Sequence, residues 1–465
     1  MVNCSMYYST FREEKGNYLI RLPKLLPKDW KLHVLFRYKY AGLDAPDMAG
    51  TGKFYLYDNF RDLGEEEVGE AEKLVATPFS LIRLMAKTAF LRYPNMKNLP
   101  DDKFLANCAI AWDRFFTTRK IDMYLAGLID ETSGIVGLEV AKKRGMPIIM
   151  LHPSRFTNMF FICDGNYAPI FWKKLGKEEV EAQYAEARQE ILGEKIINAH
   201  ISNIATNTFD LTRLGTLLQL LLAIPRNFYY YHVKIPAQDR KLWYSTEELV
   251  ARQVRYFIRS KMYGMYMRKG IPKGEKYVFF PLHFTDDAAL TAKFAVDSQF
   301  EIIEKIAKLL PHDTYIYVKP HPHWKACDVP VSVMRRMAKN PKIRLLTYKA
   351  DTKKLVRGAE LTVIINSAVG MEALLAGKPV VAFGQDYPPD VIPRVRHVTE
   401  IFDAAKRQAP LETVKRFVAN MRAHSFPIDS SVFSTAEIHR DGDIRVIVKH
   451  FEQAYDSVKA GGRKR

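Results

Sequence analysis

Residues Thr362 to Gly384, TVIINSAVGMEALLAGKPVVAFG, admit few folds. An apolar run, a tight turn, a short helix-forming run and a Gly-Lys-Pro turn lead into a second apolar run, Val380 to Phe383. Two buried strands joined through a helix lie parallel, because the crossover returns the chain to the same end of the sheet. The turn reads Asn366, Ser367, Ala368, Val369, Gly370, and Glu372 stands in the first helical turn. A helix start behind a buried strand offers backbone N–H groups and a positive dipole end, which suit an anion. A carboxylate beside that anion can hold ribose hydroxyls. The plainer reading of Glu372 is an acid placed for the helix dipole. Small neighbours at Gly370 and Ala373 let a ligand approach and favour the ribose reading.

The same strand-turn-helix grammar recurs along the chain. Ile121 to Leu128 reads as a strand, Asp130-Glu-Thr-Ser-Gly134 as a turn, Ile135 to Arg144 as a helix closed by Gly145, and Pro147 to Leu151 as the next strand. Further on, strands are expected at Tyr277 to Phe280, Thr314 to Val318 and Ile343 to Leu346. Helices are expected at Ser298 to Leu310 and near Thr352 to Val356. In the first hundred residues only Lys31 to Phe36 and Phe54 to Tyr57 read as strands, and Pro78 to Phe90 as a helix; Asp101 to Thr118 follows as another. Helix patterns also cover Lys177 to Leu192, Glu247 to Arg268 and Asp443 to Val458.

At 465 residues the chain is long enough for two or three domains. The expected division is a Rossmann-like domain over 1–225, a helical basic and aromatic linker over 226–273, a second Rossmann-like domain over 274–440, and a helix with a basic tail over 441–465. The expected fold class is α/β, with two doubly wound domains facing across a cleft. Ligands of such sheets bind beyond the carboxyl ends of the strands.

The net charge of +18 fits an anionic membrane surface or anionic substrates, and no nucleic-acid motif accompanies it. The four cysteines, Cys4, Cys108, Cys163 and Cys327, lack metal-site spacing, so neither zinc nor disulfides are expected. No signal-peptide pattern opens the sequence, and the longest apolar run, Leu214 to Pro225, is too short to span a bilayer. A cytoplasmic protein is the expectation. Aromatic and basic residues from Arg226 to Trp243 suit either a membrane interface or an ordinary interdomain linker.

Every chemically suggestive residue falls just past a strand. His321 sits between Pro320 and Pro322, which stiffen it beside Lys319; both side chains can donate to phosphate oxygens. His283, Asp286 and Asp287 follow the strand at Tyr277 to Phe280, where Asp287 also suits a helix cap. Asp130 and Glu131 suit a general base or a nucleophile, and equally a helix cap assisted by Thr132 or Ser133. His152-Pro-Ser154-Arg155 repeats the His-Pro pattern, and Arg155 suits a carboxylate or phosphate.

The segments FPLHFTDDAAL (280–290), YVKPHPHW (317–324) and INSAVGMEALLAGKPVVAFG (365–384) together resemble the capsule polysaccharide biosynthesis family, whose best-known members are bacterial β-Kdo glycosyltransferases. Ile121 to Asn158, ending in PSRFTN, is similar to that family's first βαβ unit. The resemblance implies a GT-B fold and a glycosyltransferase; no cofactor is expected, and no metal, because fixed positive groups can carry the developing charge. Its nucleotide-sugar co-substrate, CMP-Kdo or a related acid sugar, would serve a lipid-linked or polysaccharide acceptor at the cytoplasmic membrane face. It implies donor binding by Lys319, His321, Ser367, Ala368, Val369, Gly370 and Glu372, and a catalytic acid at Glu131 or Asp130. His283, Asp286, Ser154 and Arg155 would line the cleft on the acceptor side. Two positions depart from the family pattern: Pro320 stands where it often has Glu, and Ala368 where it often has a hydroxyl residue. A nucleotide-sugar 2-epimerase, a CDP-alcohol phosphotransferase and a non-catalytic nucleotide- or polysaccharide-binding subunit share the same layout and stand as alternatives.

Overall fold

The computed structural model describes residues 1–8, 22–37, 54–92, 100–127, 129, 132–156, 159–193, 224–226, 228–234, 245–268, 274–283, 298–321, 329–428 and 441–462. Among the described residues, twelve strands form two sheets. The first sheet contains β1 (Val2–Tyr8), β2 (Trp30–Phe36), β3 (Phe54–Tyr55), β4 (Met123–Ala126), β5 (Ile148–Pro153), β6 (Met159–Cys163) and β12 (Phe426–Pro427), in the order β12-β6-β5-β4-β1-β2-β3. Its five strands from β5 to β3 run parallel, whereas β6 and β12 are antiparallel additions at one edge. The second sheet contains β7 (Lys276–Pro281), β8 (Thr314–Lys319), β9 (Ile343–Leu345), β10 (Leu361–Ile364) and β11 (Val380–Ala382), all parallel in the order β11-β10-β7-β8-β9.

Both sheets are wound the same way. The chain lays three strands outward in one direction and then returns to build the other side. The order therefore reverses between β1 and β4 in the first sheet and between β7 and β10 in the second. Such reversal points open a crevice at the carboxyl ends of the strands. This is a paired doubly wound α/β layout.

Thirteen helices are described here. They are α1 (Glu65–Glu72), α2 (Phe79–Arg92), α3 (Asp102–Thr118), α4 (Thr132–Lys143), α5 (Lys177–Leu192), α6 (Thr246–Tyr266), α7 (Gln299–Leu309), α8 (Val331–Lys339), α9 (Thr352–Gly358), α10 (Val369–Leu375), α11 (Ile401–Ala405), α12 (Leu411–Ala423) and α13 (Asp441–Gly462). Their starts follow local chemistry: Asp101 caps α3 through the Phe104 N–H, and Ser298 caps α7 through the Phe300 N–H. In α7 the buried Ile302, Ile303 and Ile306 form the stripe that faces the sheet. The strand interiors read as continuous apolar runs because both faces are covered: five consecutive residues of β7 are buried.

One buried cluster runs from Trp112 and Phe115 on α3, through Tyr387 and Phe417, to Phe279 and Tyr317 in the second sheet. It joins the two halves. Gly137 on α4 lets the Trp112 indole lie against the helix backbone, since a Cβ there would sit 2.2 Å from the ring. The opposite face of the first sheet is covered from the far end of the chain: Ile444, Ile447, Val448 and Phe451 of α13 pack with Cys4, Met6, Leu125 and Ile149. The chain thus returns to the first sheet at Phe426, after β11.

Candidate functional site

The carboxyl ends of the two sheets meet. Arg155, just past β5, reaches into the second half and pairs with Asp386 beyond β11; it also donates to the Asn366 carbonyl (3.4 Å) beyond β10. Its guanidinium lies 5.6 Å from the centre of the Tyr387 ring. The pair is well shielded, with the Arg155 and Asp386 side chains 19% and 5% exposed. An expected acceptor-side cation is therefore engaged in joining the halves. Ser154 is buried as well: its Oγ lies 2.9 Å from Ser425 Oγ and accepts from the Phe156 N–H (3.3 Å). The His152 ring packs against Phe161 and Tyr167.

The reversal point of the second sheet is bridged by His283. Its Nε2 accepts from the Asn366 N–H (3.3 Å), tying the end of β7 to the end of β10. Gln299 clasps the His283 backbone from α7, accepting from its N–H (3.0 Å) and donating to its carbonyl (2.9 Å). Asn366 Oδ1 in turn accepts from the Asp386 N–H (3.1 Å). A Cβ at Gly384 would fall 1.9 Å from that oxygen, which explains the glycine.

The turn before α10 is largely occupied by its own bonds. The Val369 N–H donates to Ser367 Oγ (3.2 Å), and the Gly370 N–H to the Ser367 carbonyl (3.1 Å). The Tyr387 hydroxyl accepts from the Met371 N–H (3.2 Å) and donates to the Ser367 carbonyl (3.1 Å). A side chain at Gly370 would meet Ile364 at 2.6 Å and the Tyr387 ring at 3.0 Å, so packing accounts for this glycine. The N–H groups of Ser367 and Ala368, ahead of the helix, have no acceptor among the described residues.

Beside this turn lies a group of buried charges. Lys319 ends β8 and is 4% exposed. Burial pulls its ammonium down to about 8, while Glu372 and Asp351 hold it up. Burial pushes the Glu372 carboxyl up to about 7, opposed by Lys353 and Lys319. Glu372 Oε2 is buried with no hydrogen-bond partner among the described residues. Asp351 caps α9 through the Lys354 N–H (3.1 Å), and Lys353 Nζ donates to the Gly193 carbonyl after α5. His321 stands two residues beyond Lys319 and is partly exposed. The structure therefore brings Lys319 and Glu372 within electrostatic reach of each other, and His321 follows Lys319 in the chain.

Asp130, Glu131, Asp286 and Asp287 lie outside the described residues. Ser133 and Thr132 are buried at the start of α4, where the Ser133 carbonyl accepts from Trp112 Nε1 (2.8 Å). Reasoning from sequence missed Asp386, Tyr387 and Lys353. Asp386 and Tyr387 also follow a strand, β11, so the strand-end rule applied to Gly384-Gln-Asp-Tyr387 would have found them. Among the described residues no cluster of three or more His, Cys, Asp or Glu could hold a metal ion, and no helix is long and apolar enough to cross a membrane.

Residues 218–388 match the family described as capsule polysaccharide biosynthesis protein. That span includes the whole parallel second sheet, the buried charges and the turn before α10. A 112-residue stretch is 30% identical to Protein FixF of Sinorhizobium fredii, covering 23% of this chain and 26% of that protein. The chain thus spans about a quarter of the curated relative it matches. Among solved structures it is similar to the β-Kdo 2,7 transferase KpsC of Thermosulfurimonas dismutans at 14% identity, with 73% of this chain and 89% of that chain covered and a TM-score of 0.32. It is also similar to the UDP-GlcNAc 2-epimerase of Methanocaldococcus jannaschii in complex with UDP-GlcNAc and UDP, at 12% identity, 90% and 98% coverage and a TM-score of 0.25.

Proposed function

We propose that this chain is a glycosyltransferase of surface polysaccharide synthesis, transferring a sugar from a nucleotide-activated donor to a lipid-linked or polysaccharide acceptor. The observation that carries the reading is the buried Lys319 and Glu372 at the strand ends of the family-matched sheet, with one Glu372 oxygen lacking a partner among the described residues. A buried, incompletely bonded carboxylate is costly unless a ligand completes it. Ribose hydroxyls donate to carboxylates, so Glu372 holds the ribose. Lys319 and His321 then face the phosphate, joined by the N–H groups of Ser367 and Ala368.

In this scheme an acceptor hydroxyl attacks the anomeric carbon of the donor and the bond to the nucleotide phosphate breaks. Lys319 and His321 stabilise the charge that develops on the departing phosphate oxygen. Asp130 or Glu131, both falling in the sequence between β4 and α4, takes the proton of the attacking hydroxyl in the base role. The fixed cations supply the electrostatic role without a metal, and the donor is CMP-Kdo or a related acid sugar. The protein works in the cytoplasm.

Thermal shift with CMP, CDP, UMP, UDP and GDP identifies the nucleotide, since a ligand that binds only the folded chain raises its melting temperature. Glu372→Gln should weaken that nucleotide roughly tenfold to a hundredfold, the scale of a hydrogen bond to a charged group. Donor turnover should survive EDTA. If His321→Ala and Glu372→Gln both leave donor turnover intact, this assignment fails.

A further inference from the structure

Six of the eleven large hydrophobic side chains that stand exposed among the described residues lie between Phe228 and Met265. On α6 they form a stripe. Val254 (42% exposed), Ile258 (48%) and Met265 (78%) follow a helical spacing with Lys261 between them. The stripe cannot roll inward, because the far side of the helix is anchored to the second sheet. Tyr263 is buried and its hydroxyl donates to the Leu346 carbonyl (3.2 Å), while the Arg268 N–H donates to the Leu345 carbonyl (2.7 Å). Phe228, Tyr229 and Val233 are likewise exposed. They adjoin the start of α6: the Glu247 carboxyl is lowered by its own backbone N–H, by Ser245 and then by the nearby His232.

Past the first turn of α6, which carries Glu247 and Glu248, the charge along the helix has one sign. From Leu249 to Gly274 the sequence has no acidic residue and seven Lys or Arg, among them Arg255, Arg259, Lys261 and Arg268. The Lys261 ammonium lies 5.5 Å from the centre of the Phe257 ring. An outward aliphatic stripe edged by cations, with Phe and Tyr beside it, has the make-up of an element that lies in a bilayer interface. A second copy of the chain fits poorly, because a two-fold contact would set these cations against each other. A nucleic-acid groove would leave the aliphatic side chains unmatched.

We propose that the outer face of α6, together with residues 228–234, docks on an anionic lipid bilayer. Val254, Ile258 and Met265 enter the headgroup boundary, and Arg255 and Lys261 face the lipid phosphates. The face lies outside the cluster assigned to the donor, so it stands or falls independently of the proposed reaction.

Flotation of the full chain with phosphatidylcholine vesicles, with and without phosphatidylglycerol, tests this. Binding should require phosphatidylglycerol and weaken as salt rises. Arg255→Gln and Lys261→Gln should each weaken it roughly fivefold. Ile258→Ser should weaken it further at an unchanged melting temperature, because the site is exposed. Equal binding to neutral vesicles, no binding, or indifference to all three substitutions overturns the proposal. So does a dimer in sedimentation that Ile258→Ser disperses, which would assign the stripe to a second copy.

Discussion

The two sheets end in the same place and treat their polar residues differently. Beyond β5, Ser154 and Arg155 are bonded to other parts of the protein: Ser154 to Ser425, Arg155 to Asp386 and Asn366. Beyond β8 and β10, Lys319 and Glu372 are buried with their charges shifted towards neutrality, and Glu372 keeps an oxygen unbonded among the described residues. Residues of the first kind hold the structure together. Residues of the second kind destabilise it unless something else completes them. Strand-end position alone does not separate the two kinds; partners do.

Substitutions should divide along this line. The largest effect is expected at Arg155. Arg155→Ala strands Asp386, which is 5% exposed, and should cost about 3 kcal/mol of stability. Adding Asp386→Asn should recover part of that loss in denaturant titration. Full additivity of the two changes would show that the pair is not a unit.

Glu372→Gln should act in the opposite direction on stability. Burial raises its carboxyl from 4.5 to about 7, so the folded chain holds a proton that the unfolded chain releases. Its contribution is fully favourable below pH 4.5 and is lost as pH rises through about 7. The loss is about 3 kcal/mol, and Glu372→Gln should flatten it in melts taken across that window. An unchanged pH profile would remove Glu372 from the group of strained charges. Ser154→Ala should show the smallest effect. It should cost about 1 kcal/mol and leave nucleotide binding unchanged, whereas a Ser154 that binds ligand would lose affinity.

Much of the fold was legible because parallel strands buried on both faces announce themselves. Lys177–Leu192 appears as a helix over the expected span, and the strands at β4, β5, β7, β8, β9 and β11 fall within a few residues of expectation. The middle one of the five parallel strands in the first sheet, β1, was not legible. Its sequence VNCSMYY mixes polar and apolar residues without a clean period, and only its neighbours β2 and β4 show why it is a strand. The short β12 was hidden for a similar reason: two residues carry no period, and its pairing with β6 spans most of the chain. At the site, residue type and strand-end position pointed to Lys319 and Glu372, and burial explains why they are unusual. The same reasoning could not foresee that Arg155 would find Asp386, since a contact across 231 positions leaves no local pattern. Gly370 looked like room for a ligand; its space is taken by Ile364 and Tyr387.

The packing of α13 on the first sheet bears on the order in which the protein can be made. Synthesis proceeds from the N-terminus, and β1, β2, β4 and β5 emerge long before Ile444, Ile447 and Phe451, which cover their open face. Leu22 and Leu26 cover part of that face early, and the part under α13 is covered only after the second half has been made. The last described helix thus closes a unit that began some four hundred residues earlier.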